Sequence, residues 1–242
     1  MSRVLTVIPA RLASTRFPRK VLAKLGGRTM VEWCWRSAKA AKLGPVIVAV
    51  DSREVAAEVK RFGGDFVMTS PSCPSGSDRV WQAAKRVKAS IVINYQGDMP
   101  LLKPGTLRAA ARALKDIKTD IATAVIPLRD EKRMLDANVV KAVLGKNGDC
   151  LYFSRMPVPF NRDGGKTERW EHLGIYAYRR DALRRFVKLP PSRLEMTEKL
   201  EQLRALEAGM RIKAAVVDER PVAVDAPKDL KQAERYLRRG KS

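Results

Sequence analysis

The sequence predicts an α/β fold with a mainly parallel central sheet, flanking helices and a smaller strand-rich part. Three observations predict it. Short apolar runs alternate with amphipathic stretches up to about residue 120, the pattern of consecutive βαβ units. Beyond that point apolar runs follow one another with no long helix between them. The chain of 242 residues is 45% hydrophobic, which supplies a sizeable core and excludes wholesale disorder.

The elements follow in order. Val4, Leu5, Val7 and Ile8 place a strand over Arg3–Ala10, and equally short apolar runs place strands at Val46–Asp51, Asp65–Thr69 and Ser90–Asn94. Helical patterns lie between and after them, near Met30–Leu43, Glu54–Phe62, Ser77–Val87 and Thr106–Leu114. Right-handed crossovers then gather the strand-to-helix loops at one sheet edge. In the second half, strands are expected at Asp120–Pro127, Asn138–Leu144 and Cys150–Ser154, with Gly145–Asp149 as a turn. Residues 156–170 carry prolines, glycines and charges and read as an exposed loop. A strand at His172–Tyr178 and a helix near Asp181–Lys188 come next. Arg193–Gly209 has the most regular helical pattern, with Met196, Leu200, Leu203, Leu206 and Met210 at spacings of three and four and Gly209 as the stop. Arg211–Val217 reads as a strand and Pro227–Arg238 as a closing helix, proline being favoured in a first turn. There is no internal repeat or low-complexity tract.

Composition narrows the function. No apolar run approaches the roughly 20 residues of a membrane span. The first apolar stretch is broken by Pro9 and Arg11 and lacks a cleavage pattern, so a cytoplasmic protein without membrane insertion is expected. Three scattered cysteines, Cys34, Cys73 and Cys150, and a single histidine, His172, argue against a structural zinc site. Cys34 reads as a small core side chain. The excess of 48 basic over 26 acidic residues gives a net charge of +22. Its spread over helix-like segments, with only 6% aromatic residues, favours solvated helix faces over a specific nucleic-acid platform. Such charge still attracts anionic substrates.

Residues 7–20 are the most informative segment. A buried strand opens there into a loop of small residues and cations, Arg11, Arg16, Arg19 and Lys20, which puts N–H groups and positive charge where a polyphosphate needs them. The loop is neither a P-loop nor a dinucleotide fingerprint and reads as a nucleotidyltransferase loop. Asp98, in Gln96-Gly97-Asp98, ends an apolar strand and is either a magnesium ligand or a turn-capping aspartate. Asp225 precedes the last helix and suits an N-cap, with a metal role only if Asp98 lies nearby. Ser75-Gly76-Ser77-Asp78-Arg79 opens a helix and is a plain capped start or, with the first loop, a site for base or ribose. Arg155 suits bidentate binding of a carboxylate. Any imidazole chemistry falls on His172, whose plainer role is a hydrogen-bonding strand residue. Glu201 and Gln202 fall on the polar flank of the 193–209 helix, ordinarily a solvated face. No Ser-His-Asp or Cys-His set is apparent, which disfavours hydrolase-type nucleophilic catalysis.

Taken in order, these motifs resemble the 3-deoxy-manno-octulosonate (Kdo) cytidylyltransferases, also called CMP-Kdo synthetases. The resemblance lies in Ile-Pro-Ala-Arg-Leu-Ala-Ser-Thr-Arg-Phe-Pro (8–18) with Lys20, Ser-Gly-Ser-Asp-Arg (75–79), Gln-Gly-Asp-Met-Pro (96–100) and Asn-Val-Val-Lys (138–141). It continues in Tyr-Phe-Ser-Arg (152–155), His-Leu-Gly-Ile-Tyr-Ala-Tyr-Arg (172–179), Leu-Glu-Gln-Leu-Arg-Ala-Leu-Glu-Ala-Gly (200–209) and Val-Asp-Ala-Pro (224–227).

The resemblance implies a nucleotide-diphospho-sugar transferase fold and a homodimer that makes CMP-Kdo and pyrophosphate from CTP and Kdo, for lipopolysaccharide synthesis. It implies one domain over 1–242, with 1–119 mainly nucleotide-binding and 120–242 mainly sugar-binding and dimerisation. It assigns Ala10, Arg11, Ser14, Lys20, Ser75, Gly76, Arg79, Gln96 and Asp98 to the nucleotide. Arg11, Lys20, Asp98 and Asp225 become the catalytic set, and Asp98 and Asp225 the magnesium ligands. Arg155, His172, Tyr176, Glu201 and Gln202 become candidates for the sugar-acid pocket. An 8-amino-3,8-dideoxy relative of Kdo is the nearest alternative substrate, a sialic-acid-like sugar a more distant one. A basic nucleic-acid-binding protein on this scaffold is the alternative outside the class.

Four positions depart from the family's usual pattern: Arg19 for glycine before the loop lysine, with Val21 for proline after it; Met99 for glutamate after the metal aspartate; and Ala223 for glycine. Arg19 forgoes glycine's backbone freedom and adds charge beside the triphosphate, and Met99 removes a negative charge near the metal.

Overall fold

The computed structural model describes residues 3–14, 17–165, 167–218 and 220–239. Thr15 and Arg16 of the first loop lie outside the described residues. The chain forms two compact units, Met1–Arg108 with Arg220–Ser242, and Ala109–Glu219. This differs from the expected division at 119/120, because the last segment belongs with the first unit.

In the first unit, β1 (Val4–Ala10) is followed by a 3-10 turn at Lys20–Leu22 and a small hairpin of β2 (Lys24–Leu25) and β3 (Arg28–Thr29). Then come α1 (Met30–Ala40), β4 (Val46–Val50), α2 (Arg53–Arg61), β5 (Asp65–Met68), α3 (Gly76–Ala84), β6 (Ile91–Tyr95) and α4 (Pro104–Ala113), within which the unit boundary falls. β6, β1, β4 and β5 lie side by side, each pair parallel. β1, β4 and β6 are buried almost throughout, which is why they read as unbroken apolar runs. The helices start where a short hydroxyl side chain is available to cap them. Thr29, Ser52 and Ser75 accept from the backbone N–H groups of Glu32, Val55 and Asp78. Val31, Val55 and Val59 bury the apolar faces of α1 and α2 against Val48 and Val50.

The second unit contains β7 (Ile121–Pro127), α5 (Glu131–Leu135), β8 (Lys141–Leu144), β9 (Cys150–Ser154) and β10 (Trp170–Arg179). It continues with α6 (Arg180–Phe186), α7 (Arg193–Glu198), α8 (Gln202–Glu207) and β11 (Ile212–Val216). β7 pairs antiparallel with β10 and parallel with β11, while β8 pairs antiparallel with β10 and β9. The expected single helix over 193–209 is two helices. Lys199 adopts a left-handed conformation (φ 54°) that ends α7, and Leu200, Leu203 and Met210 are buried while Met196 is exposed. The apolar spacing was read as one face; the turn at Lys199 divides it.

The closing helix α9 (Pro227–Arg239) returns to the first unit, where Val224, Leu230 and Ala233 pack with Leu25, Met30 and Trp33. Among the described residues, no helix is long and apolar enough to cross a membrane.

Candidate active site

A cleft of ≈ 390 Å³ opens in the first unit at the carboxyl ends of β1 and β6. It is built from three loops and one returning segment. β1 ends in Ala10, which is wholly buried, and the chain then places Arg11 and Ser14 on the cleft wall. Lys20 follows from the 3-10 turn. The start of α3 supplies Ser75, Gly76 and Arg79. Ser75 is a true N-cap, its Oγ accepting from the Asp78 N–H at 3.2 Å, so the cap and the cleft wall are the same residue. The positive end of the α3 dipole therefore belongs to the site.

The β6 loop contributes Gln96 and Asp98. Gln96 is oriented by a 3.0 Å bond from its Nε2 to Asn94 Oδ1. Gly76 lies close beside it: a Cβ there would come within 3.2 Å of the Gln96 amide nitrogen, so the Gln96 side chain would have to shift to admit one. Asp225 arrives from the segment before α9.

Asp98 and Asp225 converge. The Lys20 ammonium lies 3.5 Å from Asp225 Oδ1 and 4.0 Å from Asp98 Oδ2. The backbone joins them as well, the Val224 N–H donating to the Asp98 carbonyl at 2.8 Å. The helix begins at Pro227, which puts Ala226 rather than Asp225 at the expected cap position, and Asp229 in its first turn reaches back, its Oδ2 accepting from the N–H groups of Asp225 and Ala226 at 2.9 and 2.8 Å. Among the described residues, no group of three or more His, Cys, Asp or Glu side chains is arranged to hold a metal ion.

Arg79 has a second engagement that the sequence did not disclose. Its guanidinium pairs with Asp51 at 3.2 Å and donates to Thr69 Oγ1 at 2.7 Å, with both charged side chains under 10% exposed. The other Asp51 oxygen accepts from the Leu12 N–H at 2.9 Å. Arg79 thus reaches the first loop through Asp51. Cys73 and Pro74 also line the cleft and were missed, and burial raises the Cys73 thiol pKa. Asp51 carried the same signal as Asp98, a carboxylate at the end of an apolar strand.

A cytidylyltransferase family profile matches residues 5–212. The 3-deoxy-manno-octulosonate cytidylyltransferase of Elusimicrobium minutum is 45% identical over 243 residues, spanning 98% of this chain and 99% of its own. That of Myxococcus xanthus is 48% identical, spanning 98% of this chain and 97% of its own. A solved structure of CMP:2-keto-3-deoxy-manno-octonic acid synthetase complexed with CTP superposes with a TM-score of 0.95 at 34% identity, covering 99% of this chain and all (100%) of that one. The chain belongs to the 3-deoxy-manno-octulosonate cytidylyltransferase family.

The departures from the Kdo cytidylyltransferase pattern now have locations. Arg19 takes the left-handed conformation (φ 57°, ψ 27°) open to glycine, and its guanidinium pairs with Glu54 at the start of α2. The loop keeps a glycine-like path at a backbone cost on the order of 1–2 kcal/mol. Met99 is buried, 5% exposed, and its side chain is not part of the cleft wall. Ala223 is exposed and has no positive φ, so it carries no strain.

The sugar-pocket candidates of Kdo cytidylyltransferases fall in the second unit, and several have structural partners there. His172, Tyr176 and Gln202 are brought together. The His172 and Tyr176 rings are 5.5 Å apart, and Tyr176 shares a 3.1 Å hydrogen bond with Gln202. Gln202 is buried, where a solvated flank was expected; Glu201, beside it, is partly buried. Arg155 donates to the carbonyls of Glu198, Ala137 and Lys199 at 2.7, 2.9 and 3.3 Å, so two of these bonds hold the end of α7 and the third ties it to the segment before β8. Lys141 of the Asn-Val-Val-Lys motif is fully buried and donates to the carbonyls of Asp136, Val139 and Arg155.

His172 is a core residue. Phe153 packs edge-on against it at 4.8 Å, and its Nε2 lies 2.8 Å from Thr123 Oγ1. The Thr123 hydroxyl also lies 2.7 Å from the Ile175 carbonyl, exposed by a bulge in β10. A hydroxyl has one proton to give, so Thr123 donates to that carbonyl and accepts from His172 Nε2–H. Burial pulls the imidazole pKa down to about 3, so the ring is neutral at physiological pH. The unfolded chain, at about 6.5, binds the extra proton first. This contribution to stability is full above pH 6.5 and is lost as pH falls through 3. His172→Gln, which keeps a neutral donor, is expected to flatten the acid slope of stability between pH 6.5 and 3, measured by urea unfolding at a series of pH values.

Proposed function

We propose that this protein transfers the cytidylyl group of CTP to the anomeric hydroxyl of 3-deoxy-manno-octulosonate, giving CMP-Kdo and pyrophosphate. The observation that carries this is the cleft itself: a basic loop, a helix N-terminus and two convergent carboxylates, on a chain that superposes at a TM-score of 0.95 with a CTP-bound CMP-Kdo synthetase.

The chemistry asked of the residues is charge management. The triphosphate lies in the cleft with Arg11 and Lys20 against its phosphates, where they offset the charge that builds on the departing pyrophosphate. Ser75, Gly76 and Gln96 hold the nucleotide, with the α3 dipole directed at its anionic part. Lys20, paired with both aspartates, is placed to exchange carboxylate for phosphate oxygens as CTP enters.

The donor set fits magnesium. Two carboxylates at a loop edge leave most coordination positions to water and substrate phosphate, as that ion requires, whereas a closed zinc cage would need more protein ligands. Asp98 and Asp225 would hold it, and when bound it lowers the pKa of the attacking hydroxyl and offsets charge on the α-phosphate. A homodimer and a cytoplasmic location accompany this function in our reading.

The test is pyrophosphate release from CTP, with magnesium, across a panel of sugar acids. The expected result is fastest release with Kdo. Faster release with the 8-amino sugar or a sialic acid would reassign the substrate. No release with any sugar acid would sink the enzyme reading and leave the nucleic-acid-binding alternative.

A further inference from the structure

An aspartate before an Ala-Pro helix start ordinarily turns its carboxylate back onto the helix's first N–H groups. Asp225 has that sequence context, and the Lys228 N–H, three residues on, is the donor it would normally take. The structure places a second carboxylate at this helix start. Asp229, at the third position of α9, reaches back with one carboxylate oxygen to the N–H groups of Asp225 and Ala226, at 2.9 and 2.8 Å. This is the half of a capping box that the third helical residue supplies. The other half is missing, since Ala226 has no side-chain acceptor. Asp225 points its carboxylate at Lys20 instead. The Val224 N–H, one residue earlier, ties the same segment to the Asp98 backbone.

We infer that Asp229 is a positioning residue for the reaction: by accepting from the backbone N–H groups of Asp225 and Ala226 it fixes the stretch of backbone that presents the Asp225 carboxylate to Lys20, beside Asp98. The inference rests on the magnesium-holding role proposed above for Asp98 and Asp225. Without Asp229 the backbone at Asp225 and Ala226 loses this anchor, and each departure of the Asp225 carboxylate from its place beside Lys20 removes one ligand from the site.

The experiment compares wild type, Asp229→Ala and Asp229→Asn in three readouts: steady-state kinetics, melting temperature, and Mn2+ binding to the CTP-loaded protein, followed by the EPR signal of the free ion. Asp229→Ala should lower kcat about ten-fold and weaken Mn2+ binding by about the same factor, as loss of a residue orienting a metal ligand does. KM for CTP should stay within about two-fold, because the contacts that bind CTP are untouched. Melting should fall by no more than a few degrees, the scale of losing the side-chain contacts at one helix start. Asp229→Asn, whose amide oxygen still accepts, should recover most of the lost Mn2+ affinity.

A fall in melting temperature with unchanged Mn2+ affinity would make Asp229 a helix cap only and overturn the proposal. An asparagine variant as defective as the alanine one would also overturn it. If wild type makes no CMP-sugar, the proposed function fails, while the Mn2+ comparison still decides the role of Asp229.

Discussion

Asp98→Ala is expected to reduce kcat/KM for cytidylyl transfer by at least about 10²–10³-fold, the scale of removing a group that stabilises charge in the transition state. That corresponds to about 3–4 kcal/mol of lost transition-state stabilisation. The fold should survive. The Asp98 side chain is about one-third exposed (35%), and its 4.0 Å approach to Lys20 is worth at most about 1 kcal/mol at such a site. The Asp98 carbonyl, which joins the segment before α9, is unaffected by the substitution. Asp98→Asn keeps the shape and loses the charge, and should be nearly as inactive. Pyrophosphate release at saturating CTP and sugar acid, together with a melting curve, separates the two effects. Near-normal turnover in either variant would remove Asp98 from the essential set.

Arg79→Met is expected to have the largest effect on stability. Its guanidinium is 4% exposed and its partner Asp51 is 9% exposed. Removing one member of a buried pair leaves the other desolvated and uncompensated, at a cost of about 3–5 kcal/mol. The damage should reach the cleft, because Asp51 also accepts the Leu12 N–H that anchors the first loop. CTP affinity should therefore fall along with stability. Adding Asp51→Asn removes the stranded charge and keeps an acceptor for Leu12, so the double variant should be more stable than Arg79→Met alone. Urea unfolding of the three variants measures the coupling. Strict additivity of the two single effects would show that the pair does not act as a unit.

How much of this was legible follows from the range of each interaction. The parallel strands of the first unit were visible because strands buried on both faces must be apolar at every position, as Val46–Val50 is. The start of α3 was visible because Ser75 caps it through a bond only three residues long. The 3-10 turn at Lys20–Leu22 and the short hairpin after it left no periodic trace, being two or three residues per element. The break at Lys199 was hidden for a different reason: a residue in the left-handed region keeps the apolar spacing around it while turning the chain. At the site, Asp98 could be proposed from its place at a strand end. The choice between cap and cleft for Asp225 could not, since it depends on Lys20, 205 residues away in sequence.

What the sequence determined by itself was the α/β class, the loops that carry charge, and membership of a cytidylyltransferase family through an ordered set of short motifs. Each of these depends on neighbours within a turn or a strand, so the local residue pattern suffices. The tertiary structure alone decided that Asp225 faces Lys20 while Asp229 holds the N–H groups just before α9, that Arg79 is locked to Asp51, and that His172 is a core residue. Those outcomes are competitions for a hydrogen-bond donor, a counter-charge or a place away from water, and the winner is set by groups that only folding brings within reach.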